Sequence, residues 1–188
     1  MIELNLLLAW RMRGEMNTVE LTQYSLGNAF GILAQVVADL TQEQANWIPP
    51  GCANPIGASY WHAVSGADEV MCRWVLGQEP LHQREGWQAK VLTVSAPEPE
   101  GAEGWLAWMQ TIRVDLPALA EYAKATAAAL NAWLGSLTPE DLDRTVKTPI
   151  GEFNVAQVVE TFIVWHINAH CGEISALKGC QGAKGYPF

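Results

Sequence analysis

Charged side chains are scarce in this 188-residue chain, and positive ones are the scarcer. Charged residues make up 16% of the sequence, against about 25% in an average soluble domain. Lys and Arg together number 11 and Asp and Glu 20, so the formal net charge is −9. This acidic balance excludes the basic footprint of a nucleic-acid-binding protein and a polybasic patch for a membrane surface. We therefore expect neither a nucleic acid nor a membrane as a partner.

Long hydrophobic runs are absent as well. No apolar stretch approaches the roughly 18 residues of a membrane span. The apolar segment Leu4–Trp10 lacks the layout of a secretory signal, because Glu3 stands where basic residues belong and Arg11 follows the apolar stretch instead of preceding it. We expect a cytoplasmic protein in which residues 1–16 form an N-terminal extension and residues 17–188 form a single domain.

Cysteine is sparse, whereas tryptophan is abundant. The 4 cysteines show no CxxC spacing, and a chain of this length needs no disulfide to fold, so we expect reduced and mostly buried thiols. The sequence contains 9 tryptophans. Two interpretations are open for them: packing in the core, and lining of a ligand pocket by a few of their rings.

Helical patterns dominate the sequence, and strand patterns are weak. Leu26, Phe30 and Leu33 recur at spacings of three and four, which marks one face of a helix. Asn54 and Asn154 stand where helix caps are expected. The predicted long helices cover about residues 18–41, 55–76, 115–134 and 155–178, and the Pro- and Gly-rich residues 78–111 connect the second to the third. This order predicts an all-α four-helix bundle with one long crossover and no strands.

Two of the 4 histidines, His166 and His170, lie four residues apart on the fourth predicted helix. This spacing places both on one helical face with Val159 and Phe162, so we expect the pair to project toward the core. Buried imidazoles need polar partners, which are either a divalent metal or backbone groups and water. Ile167 stands where the zinc-protease motif HExxH has its glutamate, which excludes that peptidase chemistry.

His62 lies on the second predicted helix, on a face that continues through Glu69. Ligands from facing helices of a bundle can meet, and three imidazoles leave a coordination position open for water or substrate. Glu69 and Glu173 each lie within two turns of a histidine. They are candidates for orienting a ring or for acid–base catalysis, and the alternative is a solvated or ion-paired carboxylate. His82 falls in the irregular connection, where we expect a surface histidine.

Three segments carry a resemblance to a known family. They are Trp47-Ile-Pro-Pro with Ile56-Gly-Ala-Ser-Tyr-Trp-His62, Leu137-Thr-Pro-Glu-Asp-Leu-Asp143 with Thr148-Pro-Ile-Gly-Glu-Phe-Asn-Val155, and His166-Ile-Asn-Ala-His170-Cys-Gly-Glu-Ile-Ser-Ala-Leu177. In this order and spacing, the chain from about residue 20 onward resembles the DinB/YfiT-like superfamily of metal-binding four-helix bundles.

The resemblance implies three metal ligands, His62, His166 and His170. The chain departs from many relatives at Ala169, where they carry a further histidine, and at Cys171, where they carry a basic residue. Cys171 is therefore either a packing residue or a thiol near the metal.

The resemblance also implies a divalent metal, zinc or nickel, and a small-molecule substrate. Characterised branches of the family use a low-molecular-weight thiol as cofactor, in isomerases and S-transferases, and the other implied chemistry is hydrolysis. Our hypothesis is thus a metal-dependent thiol S-transferase or hydrolase. The alternative from another class is a non-catalytic metal- or ligand-binding module, of the kind found among stress- and DNA-damage-associated relatives.

The first predicted helix is apolar around much of its circumference. Ala29, Phe30, Ile32, Leu33 and Val37 crowd two turns, and one stripe alone can face the core. Large exposed apolar patches usually mark an interface, and the resemblance also implies pairing. We expect a homodimer.

Overall fold

The computed structural model describes residues 16–94, 99 and 103–187 of the chain. These residues are mostly helical with a few short strands, which confirms the predicted all-α class. Among the described helices, none is long and apolar enough to cross a membrane. The extension predicted for residues 1–16 lies outside the described residues apart from Met16, so the boundary at residue 17 stays a prediction.

The first long helix, α1, spans Thr18–Val37 and begins at a capping box. The Asn17 side chain accepts a hydrogen bond from the Glu20 N–H, and the Glu20 carboxylate accepts one from the Asn17 N–H. The helix ends before the predicted limit at Thr41. The reason is that Thr41 caps the next helix, α2 (Gln42–Asn46), with a second capping box.

The second long helix begins as α3 (Ile56–Glu69) and continues as a π-helical segment, Val70–Leu76, which we call π1. Pro55 occupies the cap position, so the predicted cap at Asn54 is wrong. Gly77 ends the segment with φ 64°, a left-handed conformation that glycine adopts without steric cost.

The crossover that follows π1 is largely folded. It contains α4 (Leu81–Arg84), α5 (Trp87–Val91), β1 (Leu92–Val94), α6 (Trp105–Thr111) and β2 (Arg113–Val114). β1 and β2 pair antiparallel, with Leu92 opposite Val114. The pairing brings the middle of the crossover beside its C-terminal end, and α6 contacts α3.

The third long helix, α7 (Leu116–Gly135), is capped by Asp115, whose side chain accepts a hydrogen bond from the Ala118 N–H. A short helix, α8 (Pro139–Leu142), leads into an antiparallel hairpin. The hairpin consists of β3 (Thr145–Thr148) and β4 (Gly151–Asn154).

The last helical segment has three parts. They are α9 (Val155–Val159), a second π-helical segment that we call π2 (Glu160–Val164), and α10 (Trp165–Cys180). Asn154 caps α9 as predicted, since its side chain accepts from the Gln157 N–H.

The expectation of a strand-free chain is wrong. Both strand pairs consist of strands of 2 to 4 residues. Such strands are too short for an alternating apolar pattern to show in the sequence. They close connections between helices and leave the helical core unchanged.

The long helical segments form a ring in which α1 and α3 each lie between α7 and α10. Fully buried aliphatic side chains from all four fill the space between them, among them Leu33, Val64, Leu130 and Ile167. Of the free cysteines, Cys72 and Cys171 are buried, while Cys52 and Cys180 are exposed. Two of the four thiols are therefore buried, whereas the sequence predicts that most of them are.

Part of the apolar surface of α1 remains uncovered by the described chain. Ala34 is exposed, and Ile32 and Val37 are half-buried. The Leu4–Trp10 segment lies outside the described residues. The homodimer therefore stays a prediction, which light scattering tests against the 20.6 kDa of a single chain.

Lys178 ties the end of α10 to the end of α1. Its side chain is 2% exposed, and its Nζ donates to the Val36 carbonyl oxygen at 2.8 Å and to the Asp39 carboxylate. The last carbonyls of a helix lack intrahelical partners, and the helix dipole favours a cation there. Lys178 supplies both a hydrogen-bond donor and a positive charge at the C-terminal end of α1.

We predict that Lys178→Met lowers the free energy of unfolding by about 1–3 kcal/mol, because the buried Val36 carbonyl loses its donor. Asp39→Asn is the control: the Asp39 side chain is 63% exposed, so its loss costs less than about 1 kcal/mol. Urea unfolding at neutral pH measures both. Equal losses in the two variants would contradict the assignment of the stabilising contact to the Val36 carbonyl.

Candidate functional site

Three of the 4 histidines meet between α3 and α10. Nε2 of His166 lies 3.2 Å from Nε2 of His62 and 3.1 Å from Nε2 of His170. Each ring offers one nitrogen, and these atoms all lie within 4.8 Å of one another. The structure thus brings together the three residues for which the sequence suggests a common metal.

The spacing of the nitrogens suits a small cation. Ligand nitrogens at about 2.0–2.1 Å from a tetrahedral zinc ion are about 3.3 Å apart. The two measured Nε2–Nε2 distances, 3.2 and 3.1 Å, are close to this value. Three imidazoles occupy three corners of such a site and leave the fourth for an exchangeable ligand.

The rings of His62 and His166 are held in the neutral form that binds metals. Burial is the main cause that lowers the pKa of His62 to about 4 and the pKa of His166 to about 3, and the neighbouring ring of His170 adds to both shifts. Both imidazoles are therefore uncharged at neutral pH, and each has a lone pair to donate.

Glu173 orients the third ring. Nδ1 of His170 donates to the Glu173 carboxylate at 2.7 Å, which leaves the lone pair of His170 on Nε2, toward the other two histidines. The hydrogen bond from His170 lowers the pKa of Glu173 against the opposing effect of burial. Of the two roles predicted for Glu173, the geometry matches ring orientation.

The two histidines of α10 lie beside the buried face of the last helical segment. Ile163, Ile167 and Ile174 are fully buried, whereas His166 and His170 are half-buried on the adjoining face. The expectation that the pair points into the core therefore needs correction: it faces the edge of the core. The rings approach α3 closely because Gly66 has no side chain; a Cβ there would lie 3.0 Å from Cε1 of His166.

A cavity of about 360 Å³ opens next to the histidines, and His62 and His166 form part of its wall. Six large aromatic side chains also line the cavity: Trp61, Trp74, Trp105, Trp108, Phe162 and Trp165. Both interpretations of the tryptophans therefore hold, since Trp61 and Trp108 are buried in the core and also line the cavity. Among the described lining residues there is no Lys or Arg.

Both π-helical segments border this cavity. Val70 and Trp74 of π1 and Phe162 of π2 line it, and the rings of Trp74 and Phe162 meet edge to face at 5.4 Å. π-helical turns within α-helices are frequent at functional sites, because they redirect side chains relative to the α-helical repeat. The sequence gives no signal for either segment.

Glu69, the other predicted catalytic carboxylate, lines the cavity but is not free. Its Oε2 pairs with Nε of Arg73, and its Oε1 lies 3.4 Å from Nε2 of His82. Glu69 thus lies on the cavity wall and is not hydrogen-bonded to any of the three histidines. Of the roles considered for it, the ion pair with Arg73 is the one that the structure contains.

The surface position expected for His82 is wrong. The residue is 5% exposed, lines the cavity, and places its Nδ1 3.0 Å from the Asp68 carboxylate. Sequence reasoning also missed Asp68, which is fully buried on α3. An aspartate on the apolar side of a helix, two turns from Tyr60, was the available signal, because a buried carboxylate requires specific partners.

Cys171 belongs to the core. It is 1% exposed, and burial raises its pKa to about 11, so the thiol stays protonated at neutral pH. Of its two predicted roles, these properties match packing, since metal ligation requires a thiolate.

We predict that Gly66→Ala weakens zinc binding about tenfold or more, in the range found for perturbed metal surroundings. The added Cβ displaces the His166 ring, whereas the metal-free fold stays within about 1 kcal/mol of the wild type because alanine favours helix. Gly31→Ala on α1 is the control, since a Cβ there meets nothing within 4 Å. Calorimetric titration with zinc measures both, and equal affinities would refute the role of Gly66.

Comparison with solved structures shows the same fold in three bacterial proteins. A conserved protein from Enterococcus faecalis superimposes with a TM-score of 0.71 at 17% identity, covering 87% of this chain and 96% of its own. A Streptococcus pneumoniae protein gives 0.60 at 14% identity, with 89% and 93% covered. An uncharacterized protein from Clostridium difficile 630 gives 0.59 at 14% identity, with 89% and 98% covered.

Comparison with curated proteins finds no match. The family model of the DinB superfamily, in contrast, matches residues 28–174, which include all three histidines of the site. The resemblance inferred from the sequence is thereby confirmed, and the chain belongs to the DinB superfamily.

Proposed function

We propose that this protein is a metal-dependent enzyme of small-molecule chemistry, in which His62, His166 and His170 hold one divalent ion. The observation that carries the proposal is the convergence of three imidazole nitrogens beside a cavity of about 360 Å³, whose wall includes His62 and His166. Structural zinc sites are closed by four protein ligands, whereas catalytic sites keep one position open. Within the described chain, the group contains three ligands.

A divalent ion held there supplies Lewis acidity, which lowers the pKa of water or of a small thiol. The chain's own residues do the rest. His170 is fixed in the correct tautomer by Glu173, and Gly66 lets His166 lie against α3. The aromatic walls exclude water and bind an apolar or aromatic part of a substrate.

Two reaction types fit this arrangement, hydrolysis and thiol S-transfer. In both, water or a thiol gives up a proton and attacks an electrophilic carbon of the substrate. The described cavity wall offers no Lys or Arg to a negatively charged thiol cofactor. This favours an uncharged thiol, or water, as the nucleophile.

We expect the untagged protein to bind one zinc or nickel ion, and chelation to lower its melting temperature without unfolding it. Binding to the folded state alone stabilises by mass action, and the core is complete without the metal. His170→Ala should abolish measurable binding, while Glu173→Gln should weaken it about 10- to 100-fold, because Glu173 acts through His170. Metal analysis and calorimetry measure these effects. Complete unfolding on chelation would show a structural metal.

Turnover distinguishes the enzyme from a metal-binding module. The fully loaded protein is screened against aromatic esters and amides in water, and against aromatic electrophiles with an uncharged thiol such as 2-mercaptoethanol. Hydrolysis or thiol transfer that disappears in His170→Ala supports the enzyme. A fully loaded protein without any turnover supports the binding module.

A further inference from the structure

A second group of ionisable side chains lies behind the wall of the same cavity, and its member His82 reaches the cavity. Asp68 on α3 is fully buried and is surrounded by hydrogen-bond donors. Its Oδ2 accepts from the Tyr122 hydroxyl at 2.7 Å, from the His82 N–H at 2.9 Å, and lies 3.0 Å from Nδ1 of His82. Its Oδ1 accepts from the Leu81 N–H at 2.9 Å and from the Cys72 thiol at 3.4 Å.

These contacts keep Asp68 ionised despite its burial. Burial alone would raise the pKa of Asp68, but the hydrogen bonds from His82, Tyr122 and the two backbone N–H groups outweigh it, and the pKa is lowered. The pKa values of Tyr122 and Cys72 are raised, mainly by burial and further by the nearby carboxylate, so both keep their protons. A charged acceptor therefore faces Nδ1 of His82, and Nδ1 carries the proton.

The opposite nitrogen of His82 faces the cavity. Both His82 and Glu69 line it, and Nε2 of His82 lies 3.4 Å from Oε1 of Glu69. This distance exceeds that of an ordinary N–H···O bond, and the charge of Glu69 is already paired with Arg73. The ring of Trp61 packs edge to face against the imidazole at 5.7 Å and fixes its orientation. Nδ1 is thus held by the buried Asp68, and Nε2 is the ring nitrogen on the side of Glu69 and the cavity.

We propose that His82 transfers protons to and from the bound substrate through Nε2, and that Asp68 is its positioning residue. The proposal rests on the proposed function, since it assigns the acid–base group of that reaction. A buried carboxylate that fixes the tautomer of a histidine and stabilises its charged form is a recurrent catalytic arrangement. An alternative role for Asp68 is to anchor the start of α4. That role needs only the hydrogen bonds from the backbone N–H groups of Leu81 and His82, and it does not explain why the His82 ring is held with Nε2 on the cavity side.

The proton balance of the step is simple. In hydrolysis, a proton of the attacking water passes to Nε2 of His82 as the bond between oxygen and the substrate carbon forms. The same proton passes from Nε2 to the leaving oxygen or nitrogen as its bond to carbon breaks. In thiol transfer, the S–H proton takes the same route while the sulfur–carbon bond forms. No oxidant or reductant is needed.

Chemical modification tests whether Nε2 is available, without relying on turnover. Diethylpyrocarbonate acylates uncharged imidazole nitrogens and is applied to the full-length, zinc-loaded protein, in which the other three histidines are coordinated. We expect one modified histidine, His82, identified by peptide mass spectrometry, with modification slowed at least fivefold by saturating indole in the cavity. An unmodified His82 in the folded protein, with full modification after unfolding in urea, would overturn the proposal.

Substitution separates proton transfer from anchoring. In His82→Asn the amide nitrogen takes the place of Nδ1 and keeps the bond to Asp68, but no atom replaces Nε2. We expect kcat to fall about 100-fold, with KM, zinc stoichiometry and melting temperature nearly unchanged. Lys178→Met, which destabilises the fold far from the cavity, is the control and keeps its kcat. An unchanged kcat in His82→Asn would overturn the proposal.

Absence of turnover in the wild type would instead contradict the proposed function, and the modification experiment would still decide the availability of Nε2.

Discussion

Three imidazoles that share one half-buried space cannot satisfy one another with hydrogen bonds. The proton of His170 is committed to Glu173, so its Nε2 carries a lone pair. Nε2 of His166 lies within hydrogen-bond distance of two other ring nitrogens, and a single proton there can point at only one of them. The buried Nδ1 of His166 finds no hydrogen-bond partner among the residues that the structure describes. A cation between the three Nε2 atoms can accept a lone pair from each ring, which a single shared proton cannot do. The surrounding structure holds the rings in the positions that this requires.

Several elements around the three histidines position them or form the cavity beside them. Gly66 permits the close approach of α10 to α3, and the caps at Asn17, Asp115 and Asn154 fix where the long helices start. The π-helical segments contribute Trp74 and Phe162 to the wall of the cavity beside the histidines. The crossover contributes further lining residues, among them His82, Trp105 and Trp108. The three-histidine group and His82 thus come from different parts of the chain and lie beside the same cavity.

Much of this could be predicted from the sequence, because the signals are local. The i, i+4 spacing of His166 and His170, the polar face of His62 and the helix caps depend on neighbouring residues alone. The position of His82 could not be predicted, because it depends on Asp68, which lies 14 residues away on another helix. The π-helical segments left no pattern, since one extra residue in a turn changes neither composition nor apolar content. The short strands were missed for a similar reason: β1 pairs with a strand about 20 residues away in the crossover, β3 and β4 pair across the Pro149–Ile150 turn, and strands of this length show no alternation.

The central claim is that three histidine nitrogens bind one exchangeable metal ion. X-ray absorption spectroscopy of the untagged, zinc-loaded protein tests it most directly, because imidazole rings give a distinctive multiple-scattering pattern and sulfur ligands give longer bonds. The account predicts three imidazole ligands at about 2.0–2.1 Å, with the remaining coordination from an oxygen donor that a small thiol displaces. A shell with sulfur in the absence of added thiol, or with fewer than three imidazoles, would contradict it.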